Sequence, residues 1–346
     1  MVGLKLIAWY EINKRNLPWR DTVNPYLIWV SEIILQQTRV NQGLDYYRRF
    51  VDAYPDIFSL ADADIDDILK IWQGLGYYSR ARNMHTAAKQ IATTHHGKFP
   101  GSYNELITVK GIGDYTASAI ASFAFGQPVP VIDGNVNRVI ARLYGVQQPV
   151  NKPVGQKIIR SYAEKLLVNE SPGTYNQAIM EFGALQCVPH RPDCERCILN
   201  TACVAYGDAV VELLPVKEKS LKISTRYFHY LNVTYRDKTF IRRRSDGDIW
   251  NGLYEFPLIE TESETDAELL VRSEMWQLLF KGQTPNIRII SPMATHRLTH
   301  RILKIRFYDI FIDKPLLQQN FIEINQADIY RYAVPVVIDN YLKLRM

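Results

Sequence analysis

The sequence predicts an all-α domain over residues 1–208, a linker over 209–225 and a small α+β domain over 226–346. Three observations predict this. Apolar residues recur at helical spacing from Leu4 to about Val204, the texture changes after the last cysteine, and all four cysteines fall within residues 187–203. At 346 residues the chain has room for two domains that each bury a core. Its 47% hydrophobic and 22% charged content is that of an ordered, soluble protein.

The helical stretches are, in order, "LKLIAWYEINKR", "DYYRRFVDAY", "DIDDILKIW", "ARNMHTAAKQIATTHH", "YTASAIASFAFG", "VNRVIARLYG" and "IIRSYAEKLLV". Gly, Pro and Asn punctuate them at short intervals, which predicts about ten helices and no strand. "GDAVVELLPVKEKSLKISTR" then mixes Pro, Lys and Ser without sustained periodicity, as a linker does. Beyond it, "YFHYLNVTYRDKTFIRRR", "NIRIISPM" and "RILKIRFYDIFI" are rich in β-branched and aromatic residues and predict strands, while "DAELLVRSEMWQLLF" predicts a helix.

Charge narrows the function little. The net charge is +5; residues 1–215 hold 21 basic and 20 acidic residues, and 216–346 hold 20 and 16. Nucleic-acid binding is permitted by this balance and has to be argued from motifs. No apolar run reaches about 18 residues, and "MVGLKLIAWYEINKR" is charged too early for a secretory signal, so a cytoplasmic protein with no membrane span is expected.

Three features carry chemistry. In "WVSEIILQQTRV" the helical neighbours of Glu32 are Ile28, Trp29, Leu35 and Gln36, a mostly apolar face. A carboxyl in such surroundings escapes the cost of ionisation by keeping its proton near neutral pH, and a protonated acid can donate; the plainer alternative is a glutamate paired with an arginine. The four cysteines, Cys187, Cys194, Cys197 and Cys203, are spaced Cys-x6-Cys-x2-Cys-x5-Cys. In a cytoplasmic protein that spacing encloses a metal centre, either tetrahedral zinc or an iron-sulfur cluster, and the unequal intervals favour a cubane cluster. Finally, "VKGIGDYTASAIASFAFG" puts Gly111 and Gly113 just before an amphipathic helix, whose free N-H groups would bind an anion such as a DNA phosphate. A plain helix-helix turn reads the same way, and without a Walker lysine-serine pair a nucleotide triphosphate is not indicated.

Taken together in this order, "KGIG", "VIDGNVNRV" and the cysteine loop resemble the helix-hairpin-helix superfamily of DNA glycosylases, the endonuclease III relatives. Within it, "SEIILQQT", "GLGYYSRARN" and "DGNVNRV" look like the branch that removes adenine mispaired with 8-oxoguanine, and the likeness covers essentially the whole chain. The resemblance implies a helix-hairpin-helix motif at about 103–125 with Lys110, Gly111 and Gly113 on DNA, and a 4Fe-4S cluster in the loop 187–203. It also implies a monomer acting on double-stranded DNA with an A:8-oxoguanine or A:G mispair.

Residue by residue, Glu32 matches the acid that protonates departing adenine, and Asp133 the second carboxylate, which by the resemblance faces the sugar as positive charge develops and can bond to it for a time. Asp133 also reads as a helix cap, and one residue can do both. Asn135 matches a residue near sugar and water, and Glu181 one on the adenine edge. Tyr115 stands where the lyase branch has a Schiff-base lysine, so strand cleavage should be absent or slight. The flipped-out base leaves a gap in the duplex. By resemblance Gln37 and Thr38 face the opposite base, and Leu75 and Tyr77 enter the stack as wedges.

The C-terminal part resembles a Nudix-type fold around "RRRSDGDIWNGLYEFP", without the glutamate-rich helix of a working hydrolase, which implies lesion recognition. Where the family commonly has Phe-Ser-His, this chain has Leu298, Thr299 and His300. Two rival functions remain: a glycosylase for thymine or an oxidised pyrimidine, and a non-enzymatic damage sensor, for which the acid pair would have no use.

Overall fold

Capping residues set where each helix begins. The structure, a computed structural model, describes residues 2–218, 223–318 and 320–345. Up to the hairpin the helices are α1 (Val2–Asn13), α2 (Pro25–Leu35), α3 (Val40–Ala53), α4 (Ile57–Asp62), α5 (Ile65–Trp72) and α6 (Ser79–Thr94). Then come α7 (Tyr103–Leu106), α8 (Asp114–Phe125), α9 (Gly134–Tyr144), α10 (Pro153–Leu166), α11 (Pro172–Leu185) and α12 (Val204–Gly207). No strand occurs among the described residues of this stretch. Asn24, Asp64 and Asp133 each cap a helix with a side-chain oxygen, Asp56 with Ser59 and Ser102 with Glu105 form capping boxes, and left-handed Gly126 and Gly145 end α8 and α9.

The chain divides into two units, Met1–Ala63 with Arg82–Lys219 and Asp64–Ala81 with Ser220–Met346. The expected division at 208 left α5 and the turn after it with the helical part. Inside the second unit they bond to the C-terminal residues: Lys70 Nζ to Tyr332 O (3.0 Å), Gln73 Nε2 to Asp339 Oδ1 (2.9 Å) and Tyr254 OH to Asp66 Oδ2 (2.8 Å). These pairs lie 188 to 266 positions apart, beyond the reach of local patterning.

In the first unit, α1, α9, α10 and α11 share a core that includes Leu6, Val139, Ile140, Ile159, Tyr175 and Phe182. The expected linker is partly structured: Val150 N donates to Val216 O and Arg142 Nε to Leu214 O, which ties residues up to 218 to this unit. Residues 219–222 lie outside the described residues.

The second unit holds an eight-stranded sheet made of β1 (Ser224–Tyr235), β2 (Lys238–Arg243), β3 (Tyr254–Glu255), β4 (Leu258–Thr261), β5 (Asn286–Ile290), β6 (Ala294–Arg297), β7 (Arg301–Phe311) and β8 (Ile322–Asn325). β1 runs parallel to β7, with Ser224 beside Arg301 and Thr234 beside Phe311. Alternation sorts their side chains: Phe228, Tyr230, Leu303 and Ile305 pack with α15 (Val336–Lys343), while Leu231, Val233, Tyr308 and Ile310 pack with α13 (Ala267–Arg272) and α14 (Glu274–Leu279). One helix was expected over 266–280. Two form, because Ser273 takes an extended conformation and its hydroxyl accepts from Trp276 N, which starts a new helix.

Candidate active site

α2 starts at Asn24, whose Oδ1 accepts from Tyr26 N, and Pro25 occupies its first position. Residues Ile28 to Ile34 are buried, so the helix is enclosed and Glu32 goes in with it, 7% exposed. The glutamate receives one hydrogen bond, from Tyr115 OH of α8 to Oε2 (2.5 Å). Burial pushes the Glu32 carboxyl up to about 7; the Tyr115 hydrogen bond opposes that shift and the charge of Asp133 adds to it.

Asp133 caps α9. Its Oδ1 accepts from Asn135 N (2.8 Å) and Val136 N (2.7 Å), and its Oδ2 from Asn135 Nδ2 (2.8 Å). Burial raises this carboxyl as well, but three donors and the helix N-terminus favour its anion. With one donor on Glu32 and three on Asp133, a pair sharing a single proton would keep it on Glu32.

Behind Asp133 the hydrogen bonds continue. Arg138 Nη2 donates to Asn135 Oδ1 (2.9 Å) and to Gly183 O (2.6 Å), and Nε donates to Cys187 O (2.7 Å). Gly183 permits this approach of α11 to α9, since a Cβ there would stand 2.7 Å from Asn135 Cβ and 3.0 Å from Asn135 O.

Glu32, Gln37, Thr38, Tyr115, Asp133, Asn135 and Glu181 line one cavity of about 860 Å³ in the first unit. Glu181 is 1% exposed, and both its oxygens are occupied by Arg15 and Arg20, with Nη2 of each on Oε2 at 2.5 and 2.6 Å. Arg15 N also donates to Oε1. Burial alone would raise Glu181, yet the hydrogen bonds from Arg15 and Arg20 bring it down to about 2. Sequence reasoning missed both arginines, which also line the cavity. "NKRNLPWR" marks them only as basic residues in a turn.

At the hairpin, Gly111 has φ +93, and a Cβ would meet Asn83 O at 2.7 Å, so glycine is required. Gly113 caps α8 without a side chain, and Lys110 is exposed. Asp114, first in α8, is tied by Arg160 Nη2 (2.7 Å) and Tyr103 OH (2.6 Å).

All four cysteines line one cavity together with Arg142. Burial raises the thiols of Cys194 and Cys203, and Cys197 to about 11. Donors already point at sulfur: Leu199 N to Cys197 Sγ (3.4 Å) and Arg142 Nη1 to Cys187 Sγ (3.5 Å). Among the described residues no three metal-ligating side chains are grouped to hold a single ion. Four soft donors around one cavity are the donor set of a thiolate-bound metal group.

In the second unit, Thr299 and His300 form the exposed tip between β6 and β7, closed by Leu298 N to Arg301 O (2.8 Å). Tyr77 is 50% exposed with φ +48, and its hydroxyl lies 2.7 Å from Thr299 Oγ1. Leu75, expected as a wedge beside Tyr77, is 7% exposed. Leu298 packs on the Phe228 side of the sheet.

Residues 30–164 match the family described as HhH-GPD superfamily base excision DNA repair protein, and residues 229–344 match the NUDIX domain family. Over 261 residues the chain is 35% identical to an adenine DNA glycosylase of Buchnera aphidicola subsp. Schizaphis graminum (strain Sg), covering 75% of each. The chain belongs to the adenine DNA glycosylase family. To the adenine DNA glycosylase of Buchnera aphidicola subsp. Baizongia pistaciae (strain Bp) it is 33% identical over 313 residues, 89% of this chain and 86% of that one. Among solved structures, that of a thermostable thymine-DNA glycosylase matches with TM-score 0.56 and 26% identity, over 60% of this chain and 95% of that chain. As an adenine DNA glycosylase relative, the chain is a base-excision repair hydrolase with a helical helix-hairpin-helix domain and a Nudix-like α+β domain. No helix among the described residues is long and apolar enough to cross a membrane.

Proposed function

We propose that the protein removes adenine mispaired with 8-oxoguanine or guanine from double-stranded DNA, hydrolysing the N-glycosidic bond without strand cleavage. The observation that carries this is Glu32, held near pKa 7 in the same cavity as Asp133. Tyr115 occupies Oε2 of Glu32, so the acidic proton rides on Oε1 and passes to a ring nitrogen of the flipped adenine. The electron pair of the breaking C-N bond leaves with the base, ionised Asp133 offsets the positive charge left on the sugar, and water adds to the anomeric carbon. Asn135 holds Asp133 in register. Glu181, with Arg15 and Arg20 that hold it, lines the same cavity and would stand at the adenine edge. Tyr115 offers no amine for a Schiff base, which supports a monofunctional enzyme.

Gln37, left-handed at φ +58, and Thr38 would meet the strand near the opposite base. Leu75 and Tyr77 would be the wedges, Leu298, Thr299 and His300 would read the lesion, and Lys110, Gly111 and Gly113 would hold a phosphate. Cys187, Cys194, Cys197 and Cys203 would carry a 4Fe-4S cluster, which when bound neutralises the thiolates and fixes the loop after α11. Iron at about four per chain with brown colour is expected; active protein holding only zinc would refute the cluster.

The test is identification of the free base released from duplexes carrying A:8-oxoguanine, A:G, T:G or an oxidised pyrimidine. Adenine alone should appear. Release of thymine, or lesion binding with no base released in a single turnover, would overturn the proposal.

A further inference from the structure

The tip that carries Thr299 and His300 is tied down from behind. The next residue, Arg301, donates from Nη1 to Asp248 Oδ1 at 2.9 Å. The same half-buried carboxylate receives Arg226 Nη1 on Oδ1 (2.5 Å), Arg244 Nη2 on Oδ2, and its neighbour's amide, Ile249 N (2.7 Å). Each of two arginines has a second acid: Arg226 pairs with Glu260, and Arg244 with the buried Glu255. One aspartate therefore gathers three guanidinium groups, two of them anchored elsewhere in the sheet. Burial alone would raise its carboxyl, but Arg226, Ile249 N and Arg244 hold it well below the usual carboxylate range. It remains an anion wherever the enzyme works.

Asp248 belongs to a loop that touches the reading hairpin a second time. Trp250, two residues on, has φ +59, and its ring centroid lies 5.9 Å from that of His296 on β6. Trp250 and Leu298 also pack against the same cluster of buried side chains. Both sides of the tip thus rest on residues 248–250, and Ser224 N donates to His300 O at 3.3 Å.

We propose that Asp248 is a positioning residue for lesion reading: through Arg301 it fixes the tip so that Thr299 and His300 meet the base opposite adenine in one geometry. This rests on the lesion-reading role proposed above. Neutralising Asp248 leaves three guanidinium groups facing one another and frees Arg301, so preference for the lesion should fall while the chemistry in the first unit continues.

The experiment measures dissociation constants and single-turnover rates of the full chain on A:8-oxoguanine and A:G duplexes. Asp248→Asn should weaken binding of the A:8-oxoguanine duplex about tenfold, leave the A:G duplex unchanged, and leave the rate of the bound complex unchanged on both. Asp248→Glu should restore most of the preference. Arg301→Met, which removes a charge from the cluster without stranding one, should shift preference the same way if Asp248→Asn is poorly folded. Equal losses on both duplexes in a folded variant, or no change on either, would overturn the inference. Thr299→Ala separates the two levels. If it abolishes the preference while Asp248→Asn and Arg301→Met keep it, only the role of Asp248 fails; if the parent chain shows no preference, the lesion-reading role fails and takes the inference with it.

Discussion

The cavity proposed as catalytic and the β6–β7 tip proposed to read the lesion hold their polar groups in opposite ways. Glu32 and Glu181 are buried on regular helices and held by hydrogen bonds from residues distant in sequence, while half-buried Asp133 is held by Asn135 and Val136 of the helix it caps. Thr299 and His300 are exposed, on a two-residue turn, and their order comes from Tyr77, Ser224 and Arg301 around them. Enclosure makes the first set chemically unusual, because desolvation moves a proton affinity. The second set stands in solvent, so shape and placement would decide what it reads. A substitution in the cavity should therefore act on rate, and one at the tip on preference.

The largest effect should come from the cavity. Glu32→Gln and Asp133→Asn should each lower single-turnover adenine release by about a thousandfold or more and leave duplex binding close to that of the parent; equal loss of binding by a folded variant would erase the contrast. Stability gives a cross-check with a definite sign. Between pH 4.5, the ordinary value of a glutamate, and about 7, the folded chain holds a proton on Glu32 that the unfolded chain has lost, so the parent loses stability as pH rises through this window. Glu32→Gln removes that penalty and should be more stable than the parent at pH 8, by about 3 kcal/mol, with the advantage gone below pH 4.5.

A smaller effect is expected from Arg138, which touches neither base nor sugar in the proposed mechanism. Arg138→Gln breaks the link from Cys187 O to Asn135 and loosens Asp133, so the rate should fall about tenfold with binding unchanged, as for other groups that orient a reacting side chain. A loss confined to binding would move Arg138 out of the catalytic group. Smallest is the tip: Thr299→Ala removes one hydroxyl and its contact with Tyr77, worth about threefold to tenfold in preference for the lesion strand, without a change in the rate of bound complex. An effect on rate instead would mean that the two regions are not separate in function.

How much could be read beforehand follows the same division. The apolar neighbours of Glu32, the capping position of Asp133 and the cysteine spacing are local patterns; Glu32 is buried, Asp133 caps a helix, and the four cysteines line one cavity. Partners chosen across space were not legible. Nothing near Glu181 announces Arg15 and Arg20, which lie 166 and 161 positions earlier. Nor does anything in "DIDDILKIW" say that this helix bonds with the C-terminal unit. The break at Ser273 was legible, since Ser before "EMW" is an N-cap signal, but the continuous apolar spacing masked it. The stretch "GLGYY" marks a turn, but its spacing does not say that Leu75 is buried and Tyr77 exposed.

The pH dependence of single-turnover adenine release is the most direct measure of whether Glu32 works as a protonated acid beside an ionised Asp133. The rate should decline as pH rises through about 7, and that limb should vanish with the residual activity of Glu32→Gln. A rate that climbs or stays level between pH 6 and 8 in the parent chain would contradict the account.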